Sequence, residues 1–455
     1  MTFEQEHVET ASKVLSQSVA TINGFRRKSG LGESIGKMVK GKDYNDMTET
    51  EVHAELVYAE CLLLKALLTI VEDENLVSFV KAGLKVRQCY LSFRECWTIL
   101  QRRDWSKDEF KSHFEGGVRL GVGTFNLMMS LLPTRITKLM EFVGFAGSKE
   151  PSEEIGMTEM LSCYRNPACL RQFLASIILL GYHLFLTTNM GKPNECDKRL
   201  VEEILEEKLA KYPTGAFFLF FKGRYEMISG RCEAASVWYT RANNSQVSWP
   251  QFQHVGSWEL LWSACYRGEW REAEVQADRL LRESRWSPCI YAFFKAVLIC
   301  QLGDEETSTT CFYSYPNCCP SCPRNGRLLL PGLELVYLWH GFSVIGDQRH
   351  ILERFHTLIE ETEKQVGNLS PEDKGLLELL RSMCLKNLGF PLQAEEGLRK
   401  VMSLSSQFTL DKYLAPYATF ELALLLLDQE NSDSQMMKEG LSIVDLKDKD
   451  VNPLI

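Results

Sequence analysis

Excess positive charge, long apolar runs and catalytic signatures are all scarce in this sequence of 455 residues. Lys and Arg number 51 against 60 Asp and Glu, a net charge of −9. Phosphate affinity rests on clustered Lys and Arg, so a general nucleic-acid binder is excluded. The most apolar runs, 173–186 and 415–427, are shorter than the roughly 18 residues a membrane-spanning helix needs, and the first contains Ser176 and His183. Both read as buried core helices. Neither a G-x-S-x-G elbow nor an H-E-x-x-H zinc pair occurs. Residues 1–27 are charged and amphipathic, without the apolar segment of a secretory leader, so none is expected. Proline (15) and glycine (30) punctuate the chain, and long alternating strand patterns are missing. The expectation is an all-α fold.

Cysteine is not scarce, at 15 residues. Most stand singly on apolar helical faces, as Cys61, Cys89, Cys232, Cys265, Cys300 and Cys384 do. There a free thiol behaves as a small buried hydrophobe. Without a leader, this pattern points to a reducing compartment, cytosol or nucleus, and a cytoplasmic location is expected. One cluster, Cys311, Cys318, Cys319 and Cys322, has the ligand number of a structural zinc site. Two of these are adjacent, however, no second C-x-x-C pair lies nearby, and the nearest histidine is His340. An irregular loop around Pro316, Pro320 and Pro323 is the favoured reading, and no metal or cofactor is expected. His350 and His356 are six apart and share no helix face well, while His183 sits in an apolar segment and reads as a core histidine. The acidic run 202–207 alternates with apolar residues at helical spacing, which makes it a solvated face. No convergent catalytic group emerges, so the chain is not expected to be an enzyme.

Helical patterning begins at residues 3–25, read as a partial first unit (domain 1–25), and a polar, Gly-containing basic linker is expected over 26–49. An N-terminal helical region follows over 50–158, with long helices near 50–71 and 75–102. In it Gly116, Gly117, Gly121 and Gly123 are expected to precede an apolar helix ended by Pro133. No Lys follows as a phosphate loop requires, and the dinucleotide spacing fails after Gly123. Gly117 and Gly121, four apart, suit tight packing between helices.

From residue 159 to 430 the chain is periodic. Gly230, Gly268, Gly303, Gly346 and Gly389 recur at spacings of 38, 35, 43 and 43. Each ends a first helix, and a short turn leads into a second. Small residues follow five positions after three of these glycines, at Ala235, Ala273 and Ala394, and apolar residues follow further on, as at Leu280, Phe355 and Val401. This is the tetratricopeptide pattern of helix pairs, and it predicts a helix-pair repeat solenoid. Residues 431–455 read as a weakly structured tail.

Four stretches carry a resemblance. They are HAELVYAECLLLKALLTIVEDENLVSFVKAGLKVR (53–87), SHFEGGVRLGVGTFNLMMSLLP (112–133), YPTGAFFLFFKGRYEMISG (212–230) and LELVYLWHGFSVIG (333–346). In these the chain resembles the tetratricopeptide repeat protein 39 family, which includes fungal outer-membrane-associated relatives. The resemblance implies an all-helical repeat fold that acts through protein contacts and carries no enzymatic residues. The chain departs from the family's pattern in starting inside what reads as a second helix, in the segment 304–328, and in its last 25 residues.

A helix-pair solenoid presents a concave surface lined by first helices. Ten residues before Gly230, Gly268 and Gly303 stand Phe220, Trp258 and Phe293, and six before them stand Arg224, Trp262 and Val297. Phe220, Arg224, Trp258, Trp262 and Phe293 are therefore the candidate partner-binding residues, since aromatics beside arginine anchor interfaces. The competing reading makes the same aromatics core. The leading functional expectation is a non-catalytic adaptor holding a protein or peptide client in the groove. The alternative is a peripheral membrane- or lipid-associated factor using the Gly-rich segment or the basic linker.

Overall fold

The computed structural model of the chain describes residues 5–27, 43–72, 76–106, 109–130, 152–189, 196–304, 328–346 and 348–428. Among them every regular element is a helix. The chain forms two compact units, residues 1–204 and 205–455.

The first unit holds α1 (Gln5–Phe25), α2 (Glu49–Glu72), α3 (Leu76–Arg102), α4 (Lys111–Ser130), α5 (Ser152–Tyr164) and α6 (Gln172–Gly181), which widens into a π-helical turn over Tyr182–Leu186. A capping box starts α2. The Glu51 backbone N–H donates to Thr48 Oγ1 at 3.2 Å, and the Thr48 N–H donates to the Glu51 carboxylate at 2.8 Å. Helices α2 and α3 then pack together through Leu56, Ala59, Cys89, Phe93 and Cys96, all buried, and α1 lays Val19 and Ile22 against this core. The basic linker expected over 26–49 lies largely outside the described residues. Its last part is pinned rather than loose: Tyr44 and Met47 are buried, and Arg103 donates to both of their carbonyls at 3.0 and 2.6 Å.

The four glycines of the Gly-rich segment do not precede a helix, as the sequence suggested; they lie inside α4 and are all buried. Glycine lowers helix propensity, but here close approach decides the conformation. A Cβ on Gly121 would stand 2.0 Å from Phe93 Cε1 of α3, and one on Gly117 2.5 Å from Leu56 Cδ2 of α2. On the opposite side, a Cβ on Gly123 would stand 3.0 Å from the Met160 nitrogen of α5, where Gly156 answers with its own missing side chain. This glycine face is spent on packing within the unit. Pro133 lies outside the described residues.

Helix α7 (Lys198–Lys211) spans the division between the units. Its acidic residues Glu202, Glu203, Glu206 and Glu207 are exposed while Val201, Ile204 and Leu205 are buried, the expected solvated face. His183 is buried, and its Nδ1 accepts from the Asp197 backbone N–H at 3.3 Å.

The second unit is the repeat array: α8 (Ala216–Ile228), α9 (Cys232–Asn244), α10 (Pro250–Arg267), α11 (Trp270–Glu283), α12 (Pro288–Gln301), α13 (Pro331–Leu338), α14 (Gly341–Ile345), α15 (Arg349–Val366), α16 (Pro371–Leu388), α17 (Pro391–Ser403) and α18 (Leu414–Asp428). All five aligned glycines have positive φ, between 61° and 86°. Four of them close the same turn. The residue after glycine donates back five positions, as Glu269 does to the Ala264 carbonyl at 2.9 Å and Phe390 to the Leu385 carbonyl at 2.9 Å. This is the Schellman motif, in which only glycine holds the left-handed position without cost. Gly346 differs, with ψ of −123° and a bond from its own N–H to the Phe342 carbonyl. Ala235, Ala273 and Ala394, five past their glycines, are fully buried where paired helices touch. Among the described residues no helix is long and apolar enough to cross a membrane.

Candidate interaction surface

Burial divides the five residues singled out from the sequence. Phe220 is 7% exposed and packs its ring against Tyr239 and Phe252 at 5.5 and 5.7 Å. Trp262 is 3% exposed. These two are core residues of the array. Trp258 and Phe293 are half-buried and reach the surface. Arg224 is largely buried, and its Nη1 lies 3.5 Å from Glu259 Oε2 on the next first helix.

The equivalence read from the repeat does bring α10 and α12 side chains together. Trp258 lies 5.5 Å from Phe294 and 6.1 Å from Tyr291, and Phe293 adjoins Phe294. Sequence counting missed the residue that completes the group. Trp339 stacks on Trp262 at 4.7 Å with only 11° between the rings, lies 5.9 Å from Trp258, and remains 45% exposed. Its position depends on a break in what the sequence presents as one first helix over 333–346. Helix α13 stops at Leu338, His340 adopts a left-handed φ of 56°, and α14 starts at Gly341. A non-glycine residue rarely takes that conformation. Gly341 is needed beside it, because a Cβ there would meet Val336 Cγ1 at 2.6 Å and Tyr266 Cε1 at 2.7 Å. The Trp-His-Gly sequence was the available signal.

A buried polar network adjoins these rings in the sequence, through Glu259, the residue after Trp258. Tyr239 OH donates to Glu259 Oε2 at 3.0 Å while Arg224 approaches the same oxygen. Burial opposes the Arg224 charge, but Glu259 and the Tyr239 and Tyr266 hydroxyls raise its pKa and keep it protonated. Burial, with Glu259 beside it, pushes the Tyr239 phenol well above its ordinary value. The Trp262 indole N–H finds no acceptor among the described residues. The array thus presents half-exposed indole and phenyl rings, the two indoles held by Trp262, an arrangement suited to holding an apolar side chain.

Nothing in this surface has the form of a catalytic constellation. His350 is exposed, 3.9 Å from Glu233, and His356 lies 3.7 Å from Glu360 on its own helix. The cluster Cys311, Cys318, Cys319 and Cys322 lies outside the described residues. Of the six cysteines read as lone hydrophobes, Cys61, Cys89, Cys232, Cys265 and Cys384 are buried free thiols, and Cys300 is half-buried.

The profile of the Iml2/Tetratricopeptide repeat protein 39 family matches residues 1–314 and 324–388. The Tetratricopeptide repeat protein ttc-39B of Caenorhabditis elegans is 30% identical over 461 aligned residues, which cover 94% of this chain and 78% of that protein.

Proposed function

The chain belongs to the Iml2/Tetratricopeptide repeat protein 39 family, and from that premise we propose that it is a non-catalytic adaptor that holds a protein or peptide client on its repeat array. The observation that carries this reading is the ledge formed by Trp258, Phe293 and Trp339. Three large rings stay part-exposed although large apolar side chains are usually inside. Trp262, stacked on Trp339 and edge-on to Trp258, fixes their geometry, while the buried Phe220 and the largely buried Arg224 belong to the preceding repeat. Pre-ordered aromatics lose little entropy when a partner docks, which is why such residues dominate interface energetics. The acidic balance of the chain favours a protein client over nucleic acid. The buried free thiols favour a reducing compartment such as the cytoplasm.

The test compares Trp339→Ala and Trp258→Ala with Trp262→Ala. Proximity labelling in cells identifies the proteins held by the wild-type chain, and purified pairs are then measured for binding. Replacing Trp339 should weaken a direct client by about 2 kcal/mol or more, with the helical signal and melting profile nearly unchanged. Replacing Trp262 should instead destabilise the fold by roughly 3–5 kcal/mol. A set of clients bound equally well by the Trp339 and Trp258 variants would remove the ledge from the function.

A further inference from the structure

In the first unit, the connection between α5 and α6 brings two sulfur atoms to one glycine of α4. Arg165 closes the last turn of α5 on the Leu161 carbonyl. The Asn166 N–H then donates to the Cys163 carbonyl at 3.3 Å, and the Cys169 N–H donates to the Asn166 carbonyl at 3.1 Å. These two successive turns fold the chain back so that the Cys163 and Cys169 sulfurs both lie over Gly116 of α4. Both are free thiols, with Cys163 fully buried and Cys169 5% exposed. Room for the pair comes from α4. A Cβ on Gly116 would stand 1.9 Å from Cys169 Sγ and 3.9 Å from Cys163 Sγ, so only glycine fits beneath them.

The two sulfurs are not equivalent. Cys169 Sγ accepts the Arg171 backbone N–H at 3.3 Å, just before α6 begins. The charged and titratable groups around the pair are Arg171, Glu60 of α2, and His113 and Arg119 of α4. Arg171 is clamped by Glu60 through bonds of 2.6 and 2.9 Å and donates to the His113 carbonyl at 3.3 Å, which fixes it beside Cys169. The neighbouring Cys163 thiol, then the Arg171 N–H and guanidinium, lower the Cys169 thiol below its ordinary value despite burial; the Cys163 thiol is raised. The other buried cysteines, such as Cys89 and Cys265, have no such partners, and burial alone raises them.

We propose that Cys163 and Cys169 are a peroxide-reactive dithiol, with Cys169 the attacking and Cys163 the resolving sulfur. The Cys169 thiolate attacks one oxygen of a hydroperoxide. The O–O bond breaks, the leaving oxygen takes a proton and departs as water or an alcohol, and Cys169 becomes a sulfenic acid. Cys163 then gives up its proton and attacks the Cys169 sulfur, expelling the hydroxyl as a second water and forming the disulfide. Two thiols are oxidised by two electrons, and the peroxide is reduced. A hydroperoxide suits the site because it is small and the sulfurs it must reach are nearly covered, Cys169 at 5% exposure and Cys163 at 0%.

The full-length protein is treated with substoichiometric hydrogen peroxide, quenched by alkylation, and mapped by mass spectrometry without reduction. The Cys163–Cys169 disulfide should accumulate before any oxidation of Cys89, Cys265 or Cys384. In Cys163→Ser, a sulfenic-acid trap should label Cys169; in Cys169→Ser, neither position should react. Cys169 should also remain reactive near pH 6, where ordinary thiols slow by roughly two orders of magnitude. The wild-type arm decides the matter without the variants. Oxidation of Cys169 no faster than that of Cys89 and Cys265, or modification that never yields the Cys163–Cys169 bond, overturns the proposal.

Discussion

Glu259 carries more of the array than its single charge suggests. It is 7% exposed and accepts from Tyr239 while balancing Arg224, so three side chains on three helices depend on one carboxylate. Removing one partner of a buried pair leaves an uncompensated charge, which costs about 3–5 kcal/mol. Glu259→Ala is expected to lower the urea midpoint accordingly. Adding Arg224→Met to Glu259→Ala should restore part of the loss, because the orphaned guanidinium is then gone. A double variant no more stable than the single one would show that Arg224 is adequately solvated. None of this was legible in the sequence. Arg224 was visible as a repeat position equivalent to Trp262, but its partner sits on another helix at a different repeat position, and pairing across helices has no periodicity to count.

At the scale of helices, glycine has opposite meanings in neighbouring elements. In α4, a methyl group on Gly121 would fall 2.0 Å from the Phe93 ring, so Gly121→Ala should destabilise by roughly 1–3 kcal/mol through overpacking. At the end of α6, a Cβ on Gly181 meets nothing within 4 Å and the backbone is ordinary right-handed helix. Gly181→Ala should therefore stabilise by about 0.5–1 kcal/mol. Thermal melts of the two variants should move in opposite directions, and shifts of the same sign would contradict the packing described for α4. The turn glycines were legible because a left-handed φ at a helix end selects glycine locally. The α4 glycines were placed ahead of their helix because local propensity argues against a helix there, whereas Leu56, Phe93 and Met160 from three other segments enforce it. The ledge was legible in part for the same reason. The repeat register found Trp258 and Trp262, but whether each ring is covered depends on Trp339, which arrives from a helix break far along the chain.

At the scale of the molecule, the repeat unit is held by contacts between consecutive helices from α8 to α14 and from α15 to α18, and across these runs by α13 and α14 packing on both α10 and α16. Stability in such an array is a sum of local and nearest-neighbour contributions. Leu398 in α17 is fully buried, and Leu398→Ala should cost about 2–5 kcal/mol. Hydrogen exchange should then accelerate in α16, α17 and α18 while α8 and α9 keep their protection. Uniform acceleration across the unit would mean that it opens as one body. The same arrangement fixes how the unit answers a mechanical load. Tension applied across its ends meets single helix–helix seams in series at α8–α9 and α17–α18, but several seams side by side where α13 and α14 pack on α10 and α16, so the outer seams yield first. The array is in that sense a cable frayed from its ends inward, its cross-braced middle the last part to part.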